Sequence, residues 1–505
     1  MQWTSEQAPA IASNARKLLI QAFAGTGKTT TLVGYASAHA DVKMLYLCYN
    51  KSVEMAAKNR FPRNVTCKTA HGLAYAVYGT QYQHKQAGNL RITEVARVLD
   101  TQDWELARDV VNTLNTFMAS ADMAPDGRHF TRYDGRGLTP LQERRITQVV
   151  GMAISVWKRM IDLQDAGVQI THDGYLKLYQ MSRPDLSNRF GALLLDEGQD
   201  VNPVIADLVQ RQHAIQVMVG DRHQQLYRFR GAEDALSATW MADAEKHYLT
   251  QSFRFGPAVA HVANVILSFK GETVKLQGLG QRTLVKRSLP EDLVHRTWLH
   301  RTVSGVIENA LRLEKQGGQR MFWIGGIDSY SLRELEDLFQ FSRGRNDLVQ
   351  QKKLLRDYRD FEQYQEIAKA TQDPEMQRSV RIIEAYFDLP KRIEQLRRCA
   401  VASELDATVT LTTAHKAKGL EWDFVGLYDD FTADPLAPET DRAKRDDELN
   451  LLYVSVTRAM QILAVNSLVI DIMQRYKDLY GSQTKSQAAS ACIPARPSTY
   501  FGDLA

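Results

Sequence analysis

Residues Leu18 to Thr31, LLIQAFAGTGKTTT, constrain this chain more than any other stretch. The apolar run Leu18-Leu19-Ile20 reads as a short buried strand, and the residues from Thr30 to Ala38 can continue as a helix. A loop of small residues joins them and closes on Lys28 and Thr29. Strand, glycine-rich loop, Gly-Lys-Thr and helix is a layout that cradles phosphate. Gly25 and Gly27 let backbone N–H groups turn inward, so Ala24, Gly25, Thr26, Gly27, Lys28, Thr29 and Thr30 form the candidate cradle. Lys28 can reach the β- and γ-phosphates of a nucleotide, and the Thr29 hydroxyl can ligate Mg²⁺. The loop opens with Ala22, where the general pattern has Gly.

At 505 residues the chain is long for one core, so three or four domains are expected. With 44% hydrophobic and 24% charged residues it reads as globular. A balance of 63 basic against 59 acidic residues announces no nucleic-acid binder, although a basic groove fits inside a near-neutral total. Cys48, Cys67, Cys399 and Cys492 have no paired spacing, which argues against a disulfide scaffold, a zinc ribbon or an iron–sulfur cluster. No secretion signal opens the sequence and no run approaches a membrane span. The expected location is the cytoplasm of a bacterial or phage-type host, or the nucleus if the source is eukaryotic.

Taken in order, Thr4-Ser5-Glu6-Gln7 precedes a helical stretch upstream of the phosphate loop. It reads either as a helix cap or as a site where the Gln7 amide, both donor and acceptor, reads an adenine edge. Lys43 to Tyr49 and Val65 to Lys68 read as strands, each ending in polar residues. Strands alternating with helices argue for a parallel sheet, whose strand ends face ligand. Asn50, Lys51, Thr69 and His71 therefore become candidates for a second ligand. From about Tyr75 to Asn188 the pattern turns to mixed helices with few strand runs; Arg128, Arg132 and Arg136 lie there in a loop read as solvated rather than as a phosphate contact.

The sheet resumes at Ala192 to Leu195 and ends in Asp196-Glu197-Gly198-Gln199-Asp200. Asp196 is placed to hold Mg²⁺ and Glu197 to orient or deprotonate an attacking water. A further strand, Gln216 to Val219, enters GDRHQQLYRFRGA. Its aromatics Tyr227 and Phe229 interleave with Arg228 and Arg230, a pattern that stacks bases and pairs phosphates along a single strand.

AFAGTGKTT, DEGQD and GDRHQQLYRFRGA resemble motifs I, II and III of superfamily 1A helicases, the UvrD/Rep type. LYLCYNKS and Thr69 to His71 resemble motifs Ia and Ib. LTQSFRFG (Leu249 to Gly256) resembles motif IV, LHRT (Leu299 to Thr302) the strand motif after it, TTAHKAKGLEW (Thr412 to Trp422) motif V and LLYVSVTRA (Leu451 to Ala459) motif VI. Within the group, QSFRFGP most resembles the F-box DNA helicase branch. No F-box precedes the motor in this sequence, so a ubiquitin-ligase role is not expected. The resemblance implies ATP and Mg²⁺ as cofactors and 3′→5′ movement, which the GDxxQxxYxFRG form accompanies. It also implies that Gln7 contacts adenine, Phe253 stacks on it, Gln224 senses the γ-phosphate, Arg254 and Arg458 act as arginine fingers, and Glu421 binds ribose. His71, Tyr227, Phe229 and Arg230 would lie along the DNA strand, with Asn50, Lys51, Thr69, Arg301, Thr413 and His415 as further candidate contacts.

The expected fold is α/β: two RecA-like parallel-sheet motor domains, each with an inserted helical subdomain. The first motor takes residues 1–74 and 189–247 around an insertion at 75–188. The second takes 248–327 and 406–480 around a shorter insertion at 328–405, whose apolar residues recur at helical spacing among charges. Lys352, Lys353, Arg356 and Arg359 there read as a solvated face. Residues 481–505 read as a flexible tail. The implied activity is DNA-stimulated ATP hydrolysis with 3′→5′ translocation and unwinding. Single strands and single-/double-strand junctions are the implied substrate, a recombinase or single-strand-binding protein a further partner, and a monomer the expected state. Two rivals stand beside it: a translocase that strips proteins from single strands and unwinds poorly, and a nucleotide-gated DNA-binding scaffold.

Overall fold

The computed structural model describes residues 2–48, 50–133, 137–226, 228, 234–371, 373–431 and 434–490. Its strands in chain order are β1 (Lys17–Ala22), β2 (Met44–Cys48), β3 (Val65–Thr69), the short pair β4 (Gln86–Ala87) and β5 (Ile170–Thr171), β6 (Ala192–Leu195), β7 (Ile215–Gly220) and β8 (Glu245–Leu249). There follow β9 (Gln251–Ser252), β10 (Gln277–Gly278), β11 (Leu284–Lys286), β12 (Arg296–His300), β13 (Met321–Trp323), β14 (Val409–Thr413), β15 (Trp422–Leu427) and β16 (Ala459–Ala464).

Two six-stranded sheets organise the molecule, in the orders β3-β2-β6-β7-β1-β8 and β11-β16-β15-β12-β14-β13. Every pairing in both sheets is parallel. Parallel strands covered by helices on both faces bury both sets of side chains, and so read as unbroken apolar runs. β2 and β6 are buried at every position, which is why MLYLC and ALLL lack the alternation of a half-exposed strand. The edge strand β8 breaks this rule. β8, EKHYL, keeps only its last residue buried, yet it extends the first sheet beside β1 as far as Leu249.

Helices between β3 and β6 pack a core around Val110, Leu114, Phe117, Val156 and Met160, joined by Val204 and Leu208 from the helix Pro203–Gln210. The helices from Leu332 to Cys399 differ. Leu335, Leu338, Ile367 and Ile393 share one core with Ile307, Trp323, Val409 and Leu411 of the second sheet domain. A segment of that size buries too little apolar surface to stand alone, so it leans on the sheet beside it. The two helical segments also meet. Arg108 Nη1 donates to the Thr371 carbonyl at 2.7 Å, and Arg97 Nη2 lies 3.4 Å from Asp357 Oδ1.

The last helix runs Ser467–Ser490, through the first ten residues of the expected tail. Arg128 pairs with Asp122 and Asp126, and Arg132 with Glu105 and Asp109, while Arg136 falls outside the described residues. Arg356 and Arg359 pair with the adjacent Asp357 and Asp360. Among the described residues no helix is long and apolar enough to cross a membrane.

Candidate functional site

β1 runs into the phosphate loop, whose Gly25 and Gly27 take φ of 74° and 82°. A side chain at either position would strain the left-handed backbone. At Gly25 it would also meet Ser252 and Arg254. Gly27 caps the helix Lys28–Ala38, so that helix presents its free N–H groups to the loop.

β6 delivers the carboxylates. Asp196 Oδ2 accepts from Thr29 Oγ1 at 3.1 Å and from Tyr46 OH at 2.7 Å. A hydroxyl and a carboxylate this close are hard oxygen donors of the kind Mg²⁺ takes. Glu197 follows with φ 55° and ψ 44°, a left-handed conformation that a non-glycine residue holds only under constraint from its surroundings. Gln199 Nε2 donates to Glu197 Oε2 at 2.5 Å. Burial and the neighbouring Glu197 charge raise the Asp196 pKa. Burial works against the charge of Glu197 too, but Lys28 and Lys418 outweigh it and hold that carboxyl below the usual range.

β7 ends at Gly220 and leads to Asp221 and the turn Arg222–Gln224. Gln224 Nε2 donates to Asp221 Oδ2 at 2.7 Å, and Gln224 Oε1 accepts from Arg458 Nη2 at 3.3 Å. Arg458 is 1% exposed. Its other donors reach the Val454 carbonyl at 2.9 Å and the Leu420 carbonyl at 3.0 Å. Burial, then the like charge of Arg254, pushes the Arg458 guanidinium down to about 9. Arg254 Nε donates to Glu421 Oε2 at 2.5 Å, and its Nη1 donates to the Thr457 carbonyl at 3.1 Å. The first sheet thus offers the C-terminal ends of β1, β6 and β7 to the seam. The second offers the residues just before β15 and β16.

Further side chains close this seam, and sequence reasoning gave them no role. Lys418 Nζ contacts Asp200 Oδ2, lies 3.7 Å from Glu197 Oε2 and donates to the Gln224 carbonyl at 2.9 Å. Tyr453 OH accepts from the Ala24 N–H at 2.9 Å and donates to Asp221 Oδ2 at 3.0 Å. Lys418 lies within Thr412–Trp422 and Tyr453 within Leu451–Ala459, both helicase-like stretches, so a signal existed, but their partners belong to the other half of the chain.

Gln7, expected to contact adenine, is buried, with Nε2 3.5 Å from the Thr26 carbonyl. Its backbone N–H donates to Thr4 Oγ1 at 3.1 Å, so Thr4 also behaves as a local cap. Phe253 is 49% exposed, and its N–H donates to the Gly25 carbonyl at 2.9 Å. An exposed aromatic fastened to the phosphate loop is suited to stacking on a base. Thr30 Oγ1 accepts from Arg60 at 3.0 Å.

Two known families match the sequence of this chain. The UvrD/REP helicase N-terminal domain matches residues 3–239, and the UvrD-like helicase C-terminal domain matches residues 186–468, more than half of the chain. The chain belongs to the UvrD-like helicase family. It is 35% identical over 482 residues to F-box DNA helicase 1 of Gallus gallus, covering 88% of this chain and 47% of that protein. It is 30% identical over 492 residues to F-box DNA helicase protein 1 of Schizosaccharomyces pombe, covering 90% and 56% respectively. A probable DNA helicase II homolog of Mycoplasma pneumoniae is 35% identical over 89 residues, 16% of this chain and 12% of that protein. The chain therefore spans about half the length of the two F-box relatives.

The residues expected along DNA in this UvrD-like chain follow the C-terminal ends of other strands. Asn50 Oδ1 caps the helix Lys51–Lys58 by accepting from the Val53 N–H at 2.9 Å. Thr69 Oγ1 caps the helix Ala70–Val77 through the Gly72 N–H at 2.9 Å. Lys51 pairs with Glu54 at 2.8 Å, and His71 Nε2 lies 3.0 Å from Asp173 Oδ1. Arg301 holds Glu448 through both Nε and Nη2, the shorter contact being 2.7 Å. Thr413 is buried at the end of β14, and His415 follows on the same loop. Tyr227, Phe229 and Arg230 lie outside the described residues. The structure thus links Thr29 to Asp196, Gln224 to Arg458 and Arg254 to Glu421 along one seam. The DNA set stands at the C-terminal edges of β2, β3, β12 and β14, with several side chains already serving as caps or ion-pair partners.

Proposed function

We propose that the chain is an ATP-driven DNA translocase and helicase that moves 3′→5′ on single strands. The observation that carries this is the shared seam. Lys28, Thr29, Asp196 and Glu197 come from one half of the chain, Arg254, Glu421 and Arg458 from the other, and Gln224 is hydrogen-bonded to Arg458 across the seam. A binding module has no use for two guanidinium groups brought from a second domain to a phosphate cradle. In this reading the loop from Ala24 to Thr30 binds the nucleotide phosphates, Thr29 and Asp196 hold Mg²⁺, and Glu197 orients the attacking water. Arg254 and Arg458 stabilise charge on the transferred phosphoryl, and Gln7, Phe253 and Glu421 grip the nucleoside. Bound ATP supplies the phosphoryl group, and Mg²⁺ neutralises charge on its oxygens.

Loss of the γ-phosphate loosens what holds the halves together, and the strand lying over both sheets is passed along. The division into two motors with helical insertions at 75–188 and 328–405 belongs to the same proposal, as does a setting in DNA repair, recombination or replication. Duplexes with a 3′ or a 5′ single-stranded tail test the direction. Unwinding confined to the 3′-tailed duplex is expected, and equal or 5′-confined unwinding would overturn it.

A second reading has one observation in its favour: the helices from Leu332 to Cys399 share their core with the second sheet, which limits their independent reach toward duplex. A translocase that displaces a bound recombinase faster than it separates strands fits that economy. Displacement and unwinding measured at equal ATP turnover distinguish the two.

A further inference from the structure

His223 sits in the turn that carries Gln224 and is 4% exposed. Its Nδ1 lies 3.1 Å from Lys270 Nζ, and its Nε2 lies 2.9 Å from Glu272 Oε2. An ammonium group only donates and a carboxylate only accepts. The imidazole must therefore accept at Nδ1 and donate at Nε2, which makes it neutral and fixes its tautomer. The ring lies nearly parallel to Phe23, with centroids 5.8 Å apart and planes 11° apart, and meets Tyr453 edge-on at 5.9 Å. Phe23 belongs to the phosphate loop. Lys270, Glu272 and Tyr453 belong to the other half of the seam.

The connection continues on both sides. Lys270 Nζ also donates to Asn450 Oδ1, and Asn450 Nδ2 donates to the Gln225 carbonyl at 3.0 Å. The His223 N–H donates to Asp221 Oδ1 at 3.0 Å, and the other oxygen of that carboxylate takes both Gln224 Nε2 and Tyr453 OH. The turn holding Gln224 is thus gripped by the end of the helix Pro257–Ser268 and by the helix Arg442–Val456, both in the second half. A flat ring with an acceptor on one side and a donor on the other suits this place. A carboxylate here would leave Glu272 facing a like charge, and an ammonium would face Lys270.

We propose that His223 is a positioning residue for γ-phosphate sensing: held between Lys270 and Glu272, it transmits the approach of the second half to Gln224. The proposal rests on the reading that the seam hydrolyses ATP. When the halves part, the Lys270–His223–Glu272 relay breaks, and Gln224 loses its register with Arg458. When they close, the relay restores it.

The test is steady-state ATPase kinetics on saturating single-stranded DNA for His223→Ala, Lys270→Met, their double variant and His223→Gln. Each single variant is expected to lower kcat about tenfold while KM for ATP stays within about threefold, because nucleotide grip lies elsewhere. The double variant should be no slower than the worse single, since both break one relay. His223→Gln, which keeps a donor and an acceptor, should recover most of the loss. Lys270→Met serves the same purpose should His223→Ala fold poorly. Single variants within about twofold of the parent, losses that multiply in the double variant, or a KM for ATP that rises by as much as kcat falls would overturn the proposal. A parent protein without Lys28-dependent turnover would overturn the underlying reading instead, so the two failures are distinguishable.

Discussion

Replacing Lys418 with Met should disable turnover by a calculable amount, and mostly through one partner. The Lys418 side chain is 9% exposed and that of Asp200 is 1% exposed, so the ion pair between them is buried at the seam. Removing one member of a buried pair leaves an uncompensated charge and costs about 3–5 kcal/mol. Asp200 keeps two other donors, the Leu226 N–H at 3.2 Å and Gln199 Nε2 at 3.4 Å, so the lower end applies. About 3 kcal/mol taken from the closed seam lowers hydrolysis by about two orders of magnitude if the closed form is the one that turns over. The assay is a double-mutant cycle on DNA-stimulated kcat with Lys418→Met, Asp200→Asn and both together. Asn keeps an acceptor for the Leu226 N–H but carries no charge to strand. Lys418→Met should therefore cost about a hundredfold in the parent background and only a few-fold in the Asp200→Asn background. Equal costs in both backgrounds would refute the reasoning, because the lysine would then act without its carboxylate.

Three further outcomes follow from the same geometry. Arg458→Ala should lower kcat by about 10³ with little change in KM for ATP, and Arg458→Lys should not rescue it, since the guanidinium bonds the Val454 and Leu420 carbonyls and Gln224 at once. Phe253→Ala, measured by ATP titration, should raise KM by about tenfold with kcat largely kept, the worth of one base stacked on an aromatic. Glu54 opposes burial with hydrogen bonds and charges from Lys51 and Lys58, which hold its carboxyl at about 2. A carboxyl with a depressed folded pKa stabilises above its unfolded value and loses that contribution as pH falls toward the folded one. The melting-temperature gap between the parent and Glu54→Gln should accordingly be full at pH 7 and narrow below about pH 4.5.

How much of this was legible in the sequence depended on where each partner lay. The phosphate loop and the carboxylates after β6 were readable because a doubly covered parallel strand is an unbroken apolar run ending in polar groups. β8 was not: as an edge strand it exposes Glu245, Lys246 and Tyr248, so its sequence lacks the apolar run of its neighbours. The capping oxygens of Asn50 and Thr69 follow from local rules, since both stand just before a helix. The seam did not follow from them. Lys418 and Asp200 are 218 residues apart, and Tyr453 and Asp221 are 232 apart. No periodicity links such pairs; only the docking of two sheets brings them together. Tyr46 shows the same dependence on register, because its hydroxyl reaches Asp196 only after β2 has paired with β6.

The central claim is that the seam between the sheets hydrolyses ATP in response to a DNA strand. The most direct measurement is the steady-state ATPase rate with and without an unstructured single-stranded DNA, for the parent and for Lys28→Ala. Strong stimulation by DNA that vanishes in Lys28→Ala is the predicted result. Turnover indifferent to DNA, or surviving the loss of Lys28, would contradict the account.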